Sequence, residues 1–430
     1  MGCKVNQYES AQLSQKLVSL GYELVEEGDS QVSVLNACVV TARAEKEALQ
    51  ILRRLRRESP EAKIIVMGCL YKLRGKELLE EKLIDAALAT SEDLCKFLGD
   101  KVPEKDPLEG ALPHKGVLTK EDNKGQLFPP QRQSRAFFKI QDGCDQGCHF
   151  CIIPSLRGRS RSLPLPDVIR GIVYYFQEGF SEIVLTGIHL GAWGREEGEN
   201  INSLLEHISQ RLKPDPKQFR LRLSSIEPTE AAQLIDAFAS YPWLAKHLHI
   251  PLQSGSDYVL STMNRPYLSL FYRDLVEKFK NLHPQMCLGT DIIVGYPTED
   301  DSRFQETLNF LEGLPLSYHH IFPYSERSGT IAATLEPKLS SKVIKMRAKE
   351  LKALNIRKRM EYRDTLVGRR ELVLVENSLH AKSARQKGLS GGYQTILLPD
   401  NQIYNPRKLY DLELIDTNNP YGLLEGRDGG

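Results

Sequence analysis

The sequence has no apolar run near the ~20 residues that span a bilayer, and no signal-peptide pattern opens it. No membrane span is therefore expected, and the cytosol is the expected compartment. Charge of one sign is lacking as well: 57 Lys and Arg against 56 Asp and Glu give a formal net charge of +1. The chain as a whole is no polycation, so any attraction for an anionic partner must be local. Paired C-x2-C or His motifs of the kind that close zinc sites with four ligands are also missing. Composition is otherwise that of a globular protein, 41% hydrophobic and 26% charged, and 430 residues suit about three domains.

What is present is cysteine in an unusual arrangement. Six of the eight cysteines fall into two groups of three. Cys144, Cys148 and Cys151 form a compact C-x3-C-x2-C loop, while Cys3, Cys38 and Cys69 are dispersed. In a reducing compartment such groups read as metal-binding or catalytic rather than as disulfides. Thiolates hold iron–sulfur clusters, and four close a cubane, so three leave one iron for a ligand that is not protein. Two incomplete sites suggest two clusters. Cys95 and Cys287 have no such partners and are expected in the core.

The expected fold class is α/β in three parts. Residues 1–105 alternate strands at Gln31–Asn36 and Lys63–Met67 with helices at Glu9–Leu20, Ala42–Arg57 and Arg74–Leu83. A proline-rich, charged linker is expected over 106–133. Residues 134–365 carry six strand–helix units, with strands at Ala136–Ile140, Glu182–Leu185, Arg220–Leu223, His247–Ile250, Leu288–Val294 and Tyr318–Phe322. That number suits a partial parallel barrel whose active site lies at the strands' C-terminal ends. A basic helix over Lys338–Arg363 follows. Short strands broken by Gly, Pro and Asn over 366–430 suit a small β-barrel.

The compact triplet follows the first barrel strand, and with Phe150 it resembles the C-x3-C-x-aromatic-C loop of the radical S-adenosylmethionine superfamily. A zinc loop with His149 as fourth ligand is the alternative, although His149 is expected to point away. In the superfamily the open iron of a [4Fe–4S] cluster chelates S-adenosylmethionine and yields a 5′-deoxyadenosyl radical. The resemblance places Phe150, Thr186, Gly187 and Glu227 at S-adenosylmethionine, with Thr186 and Gly187 at its methionine amino group and Glu227 at its ribose. Gly289-Thr-Asp-Ile-Ile-Val-Gly295 would lie near the adenine.

Cys38 and Cys69 each follow a predicted strand, and in a parallel sheet such positions share one edge, where open α/β sheets bind ligands. Buried structural cysteine is the alternative. The segments Gly2-Cys-Lys-Val-Asn-Gln-Tyr-Glu-Ser10, Asn36-Ala-Cys-Val-Val-Thr41 and Met67-Gly-Cys69 resemble the N-terminal domain of the methylthiotransferases. Pro154-Ser-Leu-Arg-Gly-Arg159, Pro251-Leu-Gln-Ser-Gly-Ser-Asp257 and Phe322-Pro-Tyr-Ser-Glu-Arg-Ser-Gly-Thr330 resemble their central domain, and the tail more loosely resembles their RNA-binding TRAM barrel. Cys-Lys-Val-Asn-Gln-Tyr-Glu is similar to the branch acting on N6-threonylcarbamoyladenosine in tRNA.

The resemblance implies two [4Fe–4S] clusters. The auxiliary one, on Cys3, Cys38 and Cys69, would carry the sulfur, which one S-adenosylmethionine methylates. The radical made at Cys144, Cys148 and Cys151 would take hydrogen from adenine C2, and the carbon radical would capture the methylthio group. The family has a strand before its first cysteine, where here only Met1 and Gly2 stand. Either the chain starts late or Cys3 lies on a tail that frays.

Three basic groups point to RNA: Arg53–Arg57, the Arg157, Arg159 and Arg161 set, and a stretch from Lys338 to Arg370 with twelve Lys and Arg against three acids. Arg357, Lys358, Arg359, Arg157 and Arg159 are the candidate contacts. The expected partners are a tRNA anticodon stem-loop, whose unpaired purine can be splayed into a pocket, and an electron donor such as flavodoxin or ferredoxin. A monomer is expected. Three other readings stay open at this level: isopentenyladenosine as substrate, a ribosomal-protein aspartate as substrate, or an RNA-binding iron–sulfur protein without turnover.

Overall fold

The structure, a computed structural model, describes residues 2–25, 30–99, 128–400, 402–419 and 422–428. Most of the expected 106–133 linker lies outside the described residues. Two compact units are present, Met1–Arg132 and Gln133–Gly430.

The first unit runs α1 (Lys4–Ser19), β1 (Val32–Ala37), α2 (Ala42–Glu58), β2 (Lys63–Gly68), α3 (Cys69–Glu80), β3 (Ala86–Ala87) and α4 (Ser91–Leu98). Its strands form a parallel sheet in the order β1-β2-β3. The run Ile64-Ile65-Val66 is wholly buried, as a central parallel strand must be. Thr41 caps α2 by accepting from the Ala44 amide at 3.2 Å, and α2 turns Ala48 and Leu52 inward while Arg53, Arg54 and Arg57 stay exposed. The third helix starts at Cys69, five residues earlier than the apolar period suggests. Gly68, with φ +72°, turns the strand directly into it.

In the second unit β4 (Ala136–Lys139), β7 (Glu182–Thr186) and β8 (Arg220–Leu223) form one parallel sheet, and β9 (His247–His249), β10 (Cys287–Val294) and β11 (Tyr318–Pro323) another. The short pair β5 (Gln141–Asp142) and β6 (Arg161–Ser162) brackets the cysteine loop. The sheets join where the Leu221 amide donates to Trp243 O (2.9 Å) and Ile226 to His249 O (3.0 Å), giving a six-stranded partial barrel. Around it lie α5 (Ile153–Arg157), α6 (Leu165–Gln177), α7 (Ile201–Leu212), α8 (Pro228–Ala231), α9 (Ile235–Ser240), α10 (Asp257–Thr262), α11 (Ser269–Leu282) and α12 (Asp301–Gly313). The single helix expected at Thr229–Ala239 is broken into α8 and α9 by a 3₁₀ turn. The basic helix, α13, spans Ser341–Asp364.

The tail closes into a five-stranded barrel of β12 (Arg370–Leu379), β13 (Gln386–Leu389), β14 (Thr395–Leu397), β15 (Leu409–Ile415) and β16 (Leu424–Asp428). Its core residues Val373, Val375, Ile396 and Leu412 pack in one cluster with Cys287, Tyr318 and Tyr362. Cys95 and Cys287 are both buried. At the start of β7 the buried Glu182 binds Arg220 Nε (2.6 Å) and Arg222 Nε (2.7 Å). The same arginines donate to Leu372 O (2.6 Å) and Gly391 O (2.8 Å) of the small barrel. The strands' N-terminal ends are thus capped by the tail, and their C-terminal edge is left for chemistry. Among the described residues no helix is long and apolar enough to cross a membrane.

Candidate metal centres and active site

The compact cysteine loop is fixed by backbone bonds on both sides. Gly143, at φ +72°, lets the Cys144 amide reach Gly158 O at 3.1 Å, and a Cβ there would sit 1.9 Å from Arg159 O. On the other side His149 N donates to Met263 O (3.1 Å), and Ala332 N donates to His149 O (2.9 Å). The His149 ring spends Nδ1 on Thr262 O at 2.9 Å, so it points away as expected. Phe150 packs against the cluster of Val259, Met263, Tyr296 and Ala332, which anchors the loop.

Burial pushes the Cys148 thiol up and the Cys151 thiol up to about 12. Thiols so placed ionise when a cation binds them, as cluster ligands must. Three half-buried thiols on one loop, with no fourth, fit a cluster with one open iron.

Two groups that sequence reasoning missed face these thiols. Arg265 Nη1 lies 3.1 Å from Cys148 Sγ, and its other nitrogen holds the Glu227 carboxylate. Arg265 Nε also donates to Tyr267 OH at 2.8 Å. It stands 117 positions from Cys148, and no local spacing marks it. On the opposite side His189 Nδ1 is 3.8 Å from Cys144 Sγ, and Nε2 is 3.2 Å from Glu230 Oε1. Burial opposes a charge on His189, but the Cys144 thiol and Glu230 raise it to about 9.

Thr186 ends β7, opposite Lys139 of β4, and Gly187 follows it. A Cβ on Gly187 would meet Gln141 Oε1 at 2.7 Å, the oxygen that accepts from His189 N at 2.8 Å. Glu227 ends the segment after β8 and caps α8. Burial raises its pKa, and its Oε1 has no hydrogen-bond partner among the described residues, which suits a hydroxyl donor. Thr186, Gly187 and Glu227 therefore all lie at or just beyond the C-terminal ends of their strands, on the edge that carries the cysteine loop.

In the first unit Ala37 pairs with Gly68, so Cys38 and Cys69, one residue past each, leave the sheet at the same edge. Gly68 has no room for a side chain: a Cβ would lie 2.3 Å from Asn36 Oδ1. Cys3, exposed, stands at the N-cap position of α1, and its thiol lies 3.1 Å from Asn6 Oδ1, while Asn6 Nδ2 reaches Asn36 Oδ1 at 3.3 Å. Asn36 returns a bond to Asn6 O at 3.3 Å, tying α1 to the edge that carries Cys38.

Two candidate RNA contacts also need correction. Lys358 is buried on α13 and donates to Glu312 O (2.8 Å) and Leu314 O (2.9 Å), closing the end of α12. Arg157 donates to Asp142 Oδ1 at 3.0 Å beside the cysteine loop, with its side chain 9% exposed. Arg357 pairs with Glu312 at 2.5 Å on the surface. Arg159 and Arg359 are exposed, and Arg359 lies 5.3 Å over the Tyr318 ring.

A family model described as uncharacterized protein family UPF0004 matches residues 1–89, and the radical SAM superfamily model matches residues 138–311. The threonylcarbamoyladenosine tRNA methylthiotransferase MtaB of Aquifex aeolicus is 35% identical over 88% of this chain and 92% of its own length. The chain belongs to the radical SAM methylthiotransferases. MtaB of Bacillus subtilis is likewise 35% identical, over 84% of this chain and 80% of its own. The tRNA-2-methylthio-N(6)-dimethylallyladenosine synthase of Methylacidiphilum infernorum is 30% identical over 93% of the chain and 88% of its own length. The methyltransferase TsrM of Kitasatospora setae shares the fold at a TM-score of 0.51 and 14% identity, covering 75% of this chain and 68% of that one. As a radical SAM methylthiotransferase, the enzyme uses S-adenosylmethionine and [4Fe–4S] clusters.

Proposed function

We propose that this enzyme inserts a methylthio group at C2 of N6-threonylcarbamoyladenosine beside the anticodon of tRNA. The observation that carries the substrate is the near end-to-end similarity to relatives named for it, at 35% identity. Cys144, Cys148 and Cys151 hold the radical cluster in this reading, and Cys3, Cys38 and Cys69 the auxiliary one. Bound there, the clusters and S-adenosylmethionine supply the 5′-deoxyadenosyl radical and the sulfur. An aromatic C–H offers no acid–base handle, so the chemistry belongs to the cofactors and the chain positions and shields.

The chain's own residues have distinct tasks. Arg265 lies against the Cys148 sulfur and opposes the negative charge of a bound thiolate. Thr186 and Gly187 stand at the end of β7, where the methionine amino group would lie, and Glu227 Oε1 accepts from the ribose. Splaying the purine brings it to the strand edge, with exposed Arg359 and Arg159 meeting phosphate. A flavodoxin or ferredoxin supplies electrons.

Nucleoside analysis of tRNA from a deletion strain tests the reading. Loss of 2-methylthio-N6-threonylcarbamoyladenosine with the isopentenyl counterpart retained is expected. The reverse pattern moves the substrate to isopentenyladenosine, and no change in either removes tRNA as substrate.

A further inference from the structure

The partial barrel holds a second group of metal-ligand side chains, with no cysteine among them. Asp291 of β10 is the register partner of His320 on β11. His249 of β9 pairs with Gly289, two residues before Asp291 and therefore on the same face of the sheet. His249 Nε2 lies 2.8 Å from Asp291 Oδ1, and His320 Nδ1 lies 3.3 Å from the same oxygen. One ligand atom from each residue lies within 4.8 Å of the other two, and among the described residues no other three His, Cys, Asp or Glu do so.

The surroundings orient these ligands. His249 spends its other nitrogen, Nδ1, on the Tyr318 hydroxyl at 3.0 Å, which fixes the ring so that Nε2 faces Asp291. Tyr318 fits there only because residue 289 is glycine: a Cβ would come within 2.0 Å of its ring. The His249 and His320 rings stack at 4.9 Å. Burial disfavours the charge on Asp291, yet His249 and His320 hold its carboxyl well below the ordinary range. An anion thus stands between two imidazoles, on rigid strands. The His320 side chain is 50% exposed and that of Asp291 23%, so one side of the group is open.

We propose that His249, Asp291 and His320 hold one divalent transition-metal ion, of the zinc or iron(II) class, with open coordination positions toward solvent. Two imidazoles and one carboxylate from neighbouring strands suit that class and leave room for exogenous ligands. The open positions take an oxygen donor. This part rests on the substrate proposed above: the threonyl group of N6-threonylcarbamoyladenosine carries a carboxylate and a hydroxyl, and an isopentenyl group carries neither. With two neutral imidazoles the ion leaves a net positive site that attracts the carboxylate. A metal-free Asp291 repels it.

The test uses anaerobically reconstituted enzyme, whose cysteines are occupied by iron–sulfur clusters, dialysed against zinc and then desalted. Elemental analysis should find one zinc per chain beyond the iron, and its K-edge absorption should show nitrogen and oxygen ligands with imidazole scattering. Asp291→Asn and His320→Gln should each lose the zinc while iron content stays at the wild-type value. Absence of stoichiometric zinc from the wild type, sulfur among its ligands, or zinc retained in both variants overturns the proposal and leaves a hydrogen-bonded cluster. Zinc bound as expected, in an enzyme whose deletion strain lacks a different modification, keeps the site and moves only the substrate.

Discussion

Arg265 Nη1 lies 3.1 Å from Cys148 Sγ while the same guanidinium holds the Glu227 carboxylate, so one buried cation joins a cysteine proposed to hold the cluster and a carboxylate proposed to meet the ribose. Arg265→Met leaves the partly buried Glu227 unpaired, which costs about 1–3 kcal/mol. S-adenosylmethionine cleavage should fall at least about tenfold, which corresponds to ~1.4 kcal/mol of barrier. Arg265→Lys keeps the charge without the planar fork and should fall between the two. The yield of 5′-deoxyadenosine and a denaturant titration check this. A Met variant as active as wild type would make the contact incidental.

The two cysteine triplets should separate by function. Cys38→Ala with Cys69→Ala should reduce iron from about eight to about four per chain, keep 5′-deoxyadenosine formation and abolish thiomethylation. Replacing Cys144, Cys148 and Cys151 by Ala should abolish both. Asn36→Ala cuts the link between α1 and the sheet edge, costs about 1 kcal/mol, and should loosen the auxiliary cluster selectively. Simultaneous loss of both activities in the Cys38/Cys69 variant, with the protein folded, counts against separate sites.

The shared sheet edge of Cys38 and Cys69 was legible because a strand–Cys–helix pattern survives in one dimension. The parallel strands of both units were legible because buried ones such as Ile64–Val66 and Ile183–Leu185 read as unbroken apolar runs. Arg265 and His189 were not, because they come from other strand–helix units and meet the loop only in the folded chain. Nor could the basic helix be sorted. Arg347 and Lys358 look like surface charges in sequence, yet both lie on the buried face of α13, where Arg347 binds Glu299 and Asp301 at the start of α12 and Lys358 the carbonyls at its end. The tie between α1 and the edge of Cys38 was hidden because Asn6 and Asn36 stand 30 positions apart.

Glu182 should govern the acid limb of stability. Burial opposes its charge, but Arg220, Arg222 and Arg135 hold its carboxyl far below the ordinary 4.5. The folded state binds the proton more weakly than the unfolded chain. Its contribution is therefore full above about pH 4.5 and lost as pH falls below that value. Glu182→Gln leaves two buried guanidiniums without their anion and should cost about 3–5 kcal/mol at neutral pH. The variant's stability should also change less between pH 5 and pH 3 than that of the wild type, measured by urea unfolding. Equal slopes would assign the acid sensitivity to other carboxylates.

RNA binding should depend on the outer face of α13 and not on its inner one. Lys345, Lys349, Lys352 and Arg359 are exposed, whereas Lys358 is committed to Glu312 O and Leu314 O. Each phosphate contact removed lowers the slope of log affinity against log salt by roughly 0.7–0.9. Changing Lys345, Lys349, Lys352 and Arg359 to Gln should therefore weaken anticodon stem-loop binding and flatten the slope by about one to three units. Cleavage of S-adenosylmethionine without RNA should stay at the wild-type rate, because none of the four touches the cysteine loop. Lys358→Met should do the opposite, lowering stability by about 1–3 kcal/mol through two buried carbonyls left unpaired and leaving the slope intact. If the quadruple variant keeps the wild-type slope, the outer face is only a solvated helix surface. Arg159, the exposed arginine beside the cysteine loop, then becomes the first phosphate contact to remove.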